Sequence, residues 1–249
     1  GIVAISLGLA LLEVPPITWW TPATLSLACG ISALALMATA AILAARWPMM
    51  EGLFGGLDRV YEAHKWLGVF ALALASVHLL FKAGDPLWQA EAILALPPAW
   101  TRFVRQASFV VLMGIVILAL NRNIPYSVWR WWHRLSGPLF LVVVAHWLSI
   151  KSPIELGSAA GLWLAGLSVL ALLAAAYKLL LYPLVARHGH YRVDKVSRGS
   201  AAAEIELEPV SHRARFHAGH FGFLRMKADG LREPHPFTIA SAPSADGRI

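Results

Sequence analysis

This chain of 249 residues is 58% hydrophobic and only 14% charged, with a mean hydropathy of +0.61. A soluble globular domain is about half apolar and roughly a quarter charged, so the composition points to a membrane protein. The net charge of +7 does not argue for nucleic acid, because Lys and Arg in so apolar a chain mark loops on the cytoplasmic side of a bilayer. The single cysteine, Cys29, lies in an apolar run and excludes a disulfide, a zinc cluster or an iron–sulfur centre built from this chain alone. It reads as a small buried core residue.

Six apolar segments follow in order: Gly1–Leu12, Ala23–Ala45, Trp66–Phe81, Ala107–Leu120, Leu135–Ile150 and Ala159–Leu181. A membrane span needs about 20 residues. The second and sixth meet this unaided. The third, fourth and fifth must draw on flanks such as Asp58–Lys65 and Trp100–Gln106. The first is too short to cross and is expected to be the tail of a helix. The expected fold is therefore an all-α membrane bundle of six transmembrane helices over residues 1–185. Residue 1 is Gly, and Ile249 follows a turn-like Ala-Asp-Gly, so the chain is expected to be a fragment cut at both ends.

Orientation follows from Lys and Arg. One set of loops carries Arg46, Arg59, Lys65, Arg122, Arg130 and Arg134, and the tail adds Arg187, Arg192, Lys195 and Arg198. The other set carries Lys82, Arg102, Arg105 and Lys151. The first side is expected to be cytoplasmic. Trp19, Trp20, Trp100, Trp129, Trp131 and Trp132 sit at segment edges, as in an interfacial aromatic belt.

From about Arg187 the texture becomes β-like. Tyr191–Val196, Ala203–Val210, His220–Lys227 and Pro236–Ala240 read as strands of a soluble domain over 186–249. The histidines His188, His190, His212, His217 and His220 in this tail read as surface residues. The small-residue stretch Gly157–Gly161 reads as a site of close helix packing.

Four of the ten histidines fall in the membrane half, as two pairs: His64 with His78, and His133 with His146. Ionisable residues in membrane helices are rare and usually functional. Fourteen residues separate His64 from His78, roughly 21 Å of helix with both rings within about 40° of one face. Thirteen separate His133 from His146. The third and fifth segments run in the same direction, so the pairs face each other at two depths. Two imidazoles from opposite sides suit a six-coordinate b-type haem, and two haems stacked across the bilayer make an electron path. Thirteen ideal steps leave His146 about 140° off the face of His133. Gly137-Pro138, lying between them, is the expected site of re-phasing. Lys65, Arg134 and Arg59 are placed either to pair with haem propionates or simply to snorkel to the interface, whereas Phe70 and Phe140 read as core packing.

The stretch His235-Pro-Phe-Thr238, followed by Ser241-Ala-Pro243, resembles the flavin-binding strand of the ferric reductase/NADPH oxidase family, and His217–Phe223 resembles the strand before it. The two histidine pairs are also similar to that family's haem ligands. The resemblance implies an inner haem on His64 and His133 and an outer haem on His78 and His146. It implies that His235, Pro236, Phe237 and Thr238 contact the isoalloxazine of FAD, with Ser241 nearby. It implies an incomplete β-barrel FAD-binding domain after the bundle, with electrons passing from cytosolic NAD(P)H through FAD and two haems to dioxygen or ferric iron. The expected setting is a bacterial inner membrane with the flavin domain cytoplasmic. Where that family's animal oxidases carry a further histidine, this chain has Lys82, which leaves the acceptor open. Two alternatives stand beside this reading. One is a haem subunit that passes electrons to a partner protein, like the membrane subunits of periplasmic methionine sulfoxide reductases. The other is a proton channel lined by histidines.

Overall fold

A computed structural model describes residues 1–185, 189–200, 202–214, 216, 220–227 and 234–249. Its helices are α1 (Ile2–Leu12), α2 (Pro22–Ala44), α3 (Pro48–Phe54), α4 (Leu57–Leu80), α5 (Pro98–Leu120), α6 (Tyr126–His133), α7 (Ser136–Ser149) and α8 (Ala159–Ala176). The last continues through a π-helical stretch, Tyr177–Leu181, into α9 (Tyr182–Val185). Helix starts carry the expected signals. The Thr21 hydroxyl accepts from the Thr24 amide ahead of Pro22, and the Ser158 hydroxyl accepts from the Gly161 amide. Gly161 packs against the loop carbonyl of Glu155 at the turn into α8, and its neighbour Ala160 is buried in the core shared with α2 and α7.

Four helices are long and apolar enough to cross a membrane among the described residues: α2, α4, α5 and Ala159–Leu181. Six were expected. The first segment forms only the 11-residue α1. The fifth is divided, because the chain breaks at Arg134–Leu135 between α6 and α7. There the amides of Arg134 and Leu135 bond back three residues, to Trp131 and Trp132. Pro138 then stands in the first turn of α7, where a missing N–H costs nothing and where its ring blocks a continuous helix through Arg134. The third and fourth segments draw on their charged flanks, as the span length requires: α4 takes in Asp58, Arg59 and Lys65, and α5 takes in Arg102 and Arg105.

α2 lies at the centre. Its Ala, Ser and Gly residues let α4 approach closely on one side and α8 on the other. Leu34, Ala35 and Ala38 of α2 form one core with Phe140 and Val144 of α7 and Leu164 and Ala171 of α8. Leu112, Ile115 and Val116 of α5 meet Leu139 of α7 in a second. In contrast, α4 buries only Val60 and Ala71. α4 and α7 are not close-packed against each other; α2 and α5 each touch both.

The tail forms two antiparallel pairs of strands: β1 (Tyr191–Arg198) with β2 (Ala203–Pro209), and β3 (Phe221–Leu224) with β4 (His235–Thr238). The first pair runs Tyr191↔Pro209 with a register shift at Val193/Lys195, and the second runs Phe221↔Thr238 to Leu224↔His235. A closed barrel needs every strand paired on both edges, and the described residues give two separate ribbons instead. His188 and His217 lie outside the described residues. His190 and His212 are exposed, and His220 is half-buried.

Candidate functional site

The four membrane histidines meet in two pairs. His64 of α4 faces His133, the last residue of α6, with ring centroids 5.8 Å apart and planes at 80°. His78 of α4 faces His146 of α7 at 6.3 Å and 64°. Fourteen residues of unbroken α4 set the two pairs roughly 21 Å apart along the helix. The break after His133 lets α7 begin with its own phase, and His146 thereby returns to the side that faces α4.

The surroundings fix the ring nitrogens on α4. His64 Nδ1 lies 2.9 Å from the carbonyl oxygen of Ala40, and His78 Nδ1 lies 2.8 Å from that of Ser26. A carbonyl only accepts, so each Nδ1 carries the proton and each Nε2 keeps a lone pair. A ligating histidine is oriented in this way by its second nitrogen. Across the gap, the Nδ1 atoms of His133 and His146 are buried with no hydrogen-bond partner among the described residues. The ring of His133 stacks on Trp129 at 5.2 Å.

These features fit haem. Two metal–imidazole bonds of about 2 Å each, plus the distance from nitrogen to ring centre, put two ligating rings roughly 6 Å apart. Both observed spacings match. No group of three or more His, Cys, Asp or Glu converges among the described residues. A pair is enough for haem, because the macrocycle supplies the other four nitrogens. Lys65 and Arg134, the neighbours of His64 and His133, have no carboxylate partner among the described residues and remain available to propionates. Phe140 is buried in the core, whereas Phe70 is 54% exposed.

The candidate flavin residues lie in and after β4, apart from the histidine pairs. Phe237 and Thr238 are exposed. His235 is half-buried, and Pro236 pairs with Phe223 in β3. The Ser241 hydroxyl is buried without a hydrogen-bond partner among the described residues, which leaves it free to bond a ligand. Arg46 joins this sheet to the bundle. Its guanidinium lies 4.6 Å from the Phe223 ring centre and 5.3 Å from that of Tyr61, three residues before His64.

Sequence reasoning missed Ser26, Gly30, Ala40 and Arg46. The one available signal was numerical: fourteen positions separate Ser26 from Ala40, as they separate His64 from His78.

Fold and site together define an integral membrane helical protein in which two pairs of histidines face each other. Residues 29–144 match the family described as ferric reductase like transmembrane component. That stretch, just under half of the chain, is similar to a ferric reductase-like transmembrane domain. The match takes in His64, His78 and His133 and ends two residues before His146. Comparison with curated proteins gives no match.

Proposed function

We propose that this protein is a transmembrane oxidoreductase that carries electrons from cytosolic NAD(P)H, through FAD and two b-type haems, to dioxygen or ferric iron on the far side. On this reading residues 1–185 form the di-haem domain, and residues 186–249 contribute to a flavin-binding domain on the cytoplasmic face of a bacterial inner membrane. The reading is supported above all by one observation: two histidine pairs, each with ring centroids about 6 Å apart, bridge helices that are not otherwise packed together.

When bound, each haem would supply a one-electron couple, and a pair of histidines would hold it. The chain's own residues do the rest. His64 and His133 hold the inner group, and His78 and His146 the outer. The carbonyls of Ala40 and Ser26 keep the α4 imidazoles in the tautomer that presents Nε2. Lys65 and Arg134 offset propionate charge at the inner face. The apolar core around Phe140 excludes water between the two depths. On the tail, Phe237 offers a face for the isoalloxazine, Thr238 and Ser241 offer hydroxyls, and His235 and Pro236 fix the strand that carries them.

The test is a visible spectrum of the protein purified in detergent with haem supplied during expression. Two equivalents of low-spin haem per chain are expected. A colourless protein would contradict the reading and favour a histidine-lined proton channel.

A further inference from the structure

The α4 histidines are not seated alike. At His64 the Nδ1–H has one acceptor among the described residues, the Ala40 carbonyl at 2.9 Å. At His78 it has two, the Ser26 carbonyl at 2.8 Å and the Ser26 hydroxyl oxygen at 3.1 Å. That hydroxyl is itself oriented. Its single hydrogen points to the end of α4, where the carbonyl oxygens of Phe81 (2.8 Å) and His78 (3.0 Å) lie within reach. Its lone pairs are thus turned toward Nδ1. Ser26 is fully buried, so water does not compete for either role. One turn along α2, Gly30 completes the seat. A Cβ there would stand 2.9 Å from His78 Nδ1 and 3.0 Å from Cε1, closer than side-chain carbons approach. Only glycine leaves the imidazole room to lie against the α2 backbone.

We propose that Ser26 and Gly30 are positioning residues for the outer pair, and that the Ser26 hydroxyl sets the electron affinity of the outer haem independently of the inner one. This rests on the haem reading above and extends it. An imidazole whose Nδ1–H is strongly hydrogen-bonded is a more basic ligand. A more basic ligand stabilises ferric over ferrous iron and lowers the reduction potential. Two acceptors at His78 against one at His64 therefore lower the outer potential by a contribution that the inner site lacks. The antiparallel register makes this division possible. α2 passes both rings fourteen residues apart, and a side chain at one crossing does not reach the other.

The rival role for Ser26 is to cap the last carbonyls of α4, a purely structural function. A redox titration of the haem-loaded full chain, followed by absorption and electron paramagnetic resonance, separates the two. Ser26→Ala should raise the outer midpoint potential and leave the inner one unchanged, and Ser26→Thr, which keeps the hydroxyl, should restore it. Gly30→Ala leaves the Ser26 groups in place; it should alter the low-spin signal of the outer haem, or lose that haem alone. If Ser26→Ala retains two haems and neither potential moves, or both move together, the proposal is wrong. The same holds if Gly30→Ala affects both haems equally or neither, and this second variant decides the matter if Ser26→Ala does not fold. A wild-type protein without haem would instead overturn the functional reading beneath it.

Discussion

The guanidinium of Arg46 lies 4.6 Å from the centre of the Phe223 ring, and so links the loop after α2 to the strand that pairs with His235–Thr238. Arg46 adopts a left-handed backbone conformation (φ 58°), which is uncommon for a residue with a side chain. The same side chain faces Tyr61 at 5.3 Å and Tyr182 at 5.9 Å. Three aromatic faces from α4, α9 and β3 thereby share one cation. Tyr61 lies one turn before His64, so this cluster joins the tail to the helix that carries His64.

Arg46→Ala should loosen that docking without unfolding the bundle. A partly desolvated cation–π contact contributes about 1 kcal/mol, equivalent to a several-fold change in equilibrium. Hydrogen exchange at the amides of Phe221–Leu224 should accelerate by about that factor. Unchanged protection would mean that the strand is held by other contacts.

The paired histidines predict a paired loss. His64→Ala or His133→Ala should remove the inner haem, and His78→Ala or His146→Ala the outer, so that haem content falls by about half in each variant. Pyridine haemochrome measurement against protein concentration is the check. Four variants that all kept two low-spin haems would leave the ligand assignment without support.

Pro138 gives a sharper test of geometry. Proline inside a helix costs about 3 kcal/mol or more, which favours the break at Arg134–Leu135. Pro138→Ala removes that bias and permits α6 and α7 to fuse. A continuous helix would carry His146 about 140° away from the side occupied by His133. The expected result is weaker retention of one haem together with a gain in helical circular dichroism. Full haem occupancy would show that packing against α5 and α8 holds the break without the proline.

Much of the membrane half was legible in the sequence for physical reasons that differ from segment to segment. Ala23–Ala45 and Ala159–Leu181 are uniformly apolar, and α2 and the span through Leu181 follow them closely. α4 and α5 were legible only by length, because their ends carry charges that can reach the interface while the stem stays buried. The division of the fifth segment was foreshadowed by Pro138, but its position was not. The apolar run begins at Leu135, on the far side of the break from His133, and the Trp-rich α6 reads equally well as an interfacial belt. The role of α2 was hidden for another reason. A backbone carbonyl has no side-chain signature, so Ala40 can be recognised only once the antiparallel register with α4 is known. Gly30 likewise reads as one small residue among many until the His78 ring is seen against it.

The tail offers a prediction in pH. Arg192 hydrogen-bonds Glu208 at 2.6 Å, and that bond and its charge hold the Glu208 carboxyl below its ordinary value near 4.5. A depressed carboxylate pKa contributes stability that is present above the unfolded value and is lost as pH falls through the folded one. The β1–β2 ribbon should therefore lose protection only below about pH 4.5. The change should be small, since the pair is exposed, and smaller still in high salt. Hydrogen exchange corrected for intrinsic rates, with Glu208→Gln as the pH-insensitive reference, measures it. An equal acid response in that variant would assign the effect to other carboxylates.

The last prediction concerns how the acceptor is reached. If His78 and His146 fill both axial positions of the outer haem, no site on that iron is open to a small ligand. An electron can then leave only across the haem edge, one at a time. Dioxygen would be reduced to superoxide and not to water, and a ferric chelate too bulky to approach the iron could still be reduced. Neither route requires His78 or His146 to dissociate. Carbon monoxide should therefore leave the spectrum of the dithionite-reduced protein unchanged, and cyanide should have little effect on reoxidation by air or by a ferric chelate. The measurement is stopped-flow absorbance of the reduced, haem-loaded protein with and without each inhibitor. Variants His78→Ala and His146→Ala provide the positive control, because any outer haem they retain would have an open position. Strong inhibition of the unmodified protein, together with a high-spin resting signal, would mean that one of the two histidines is not a ligand.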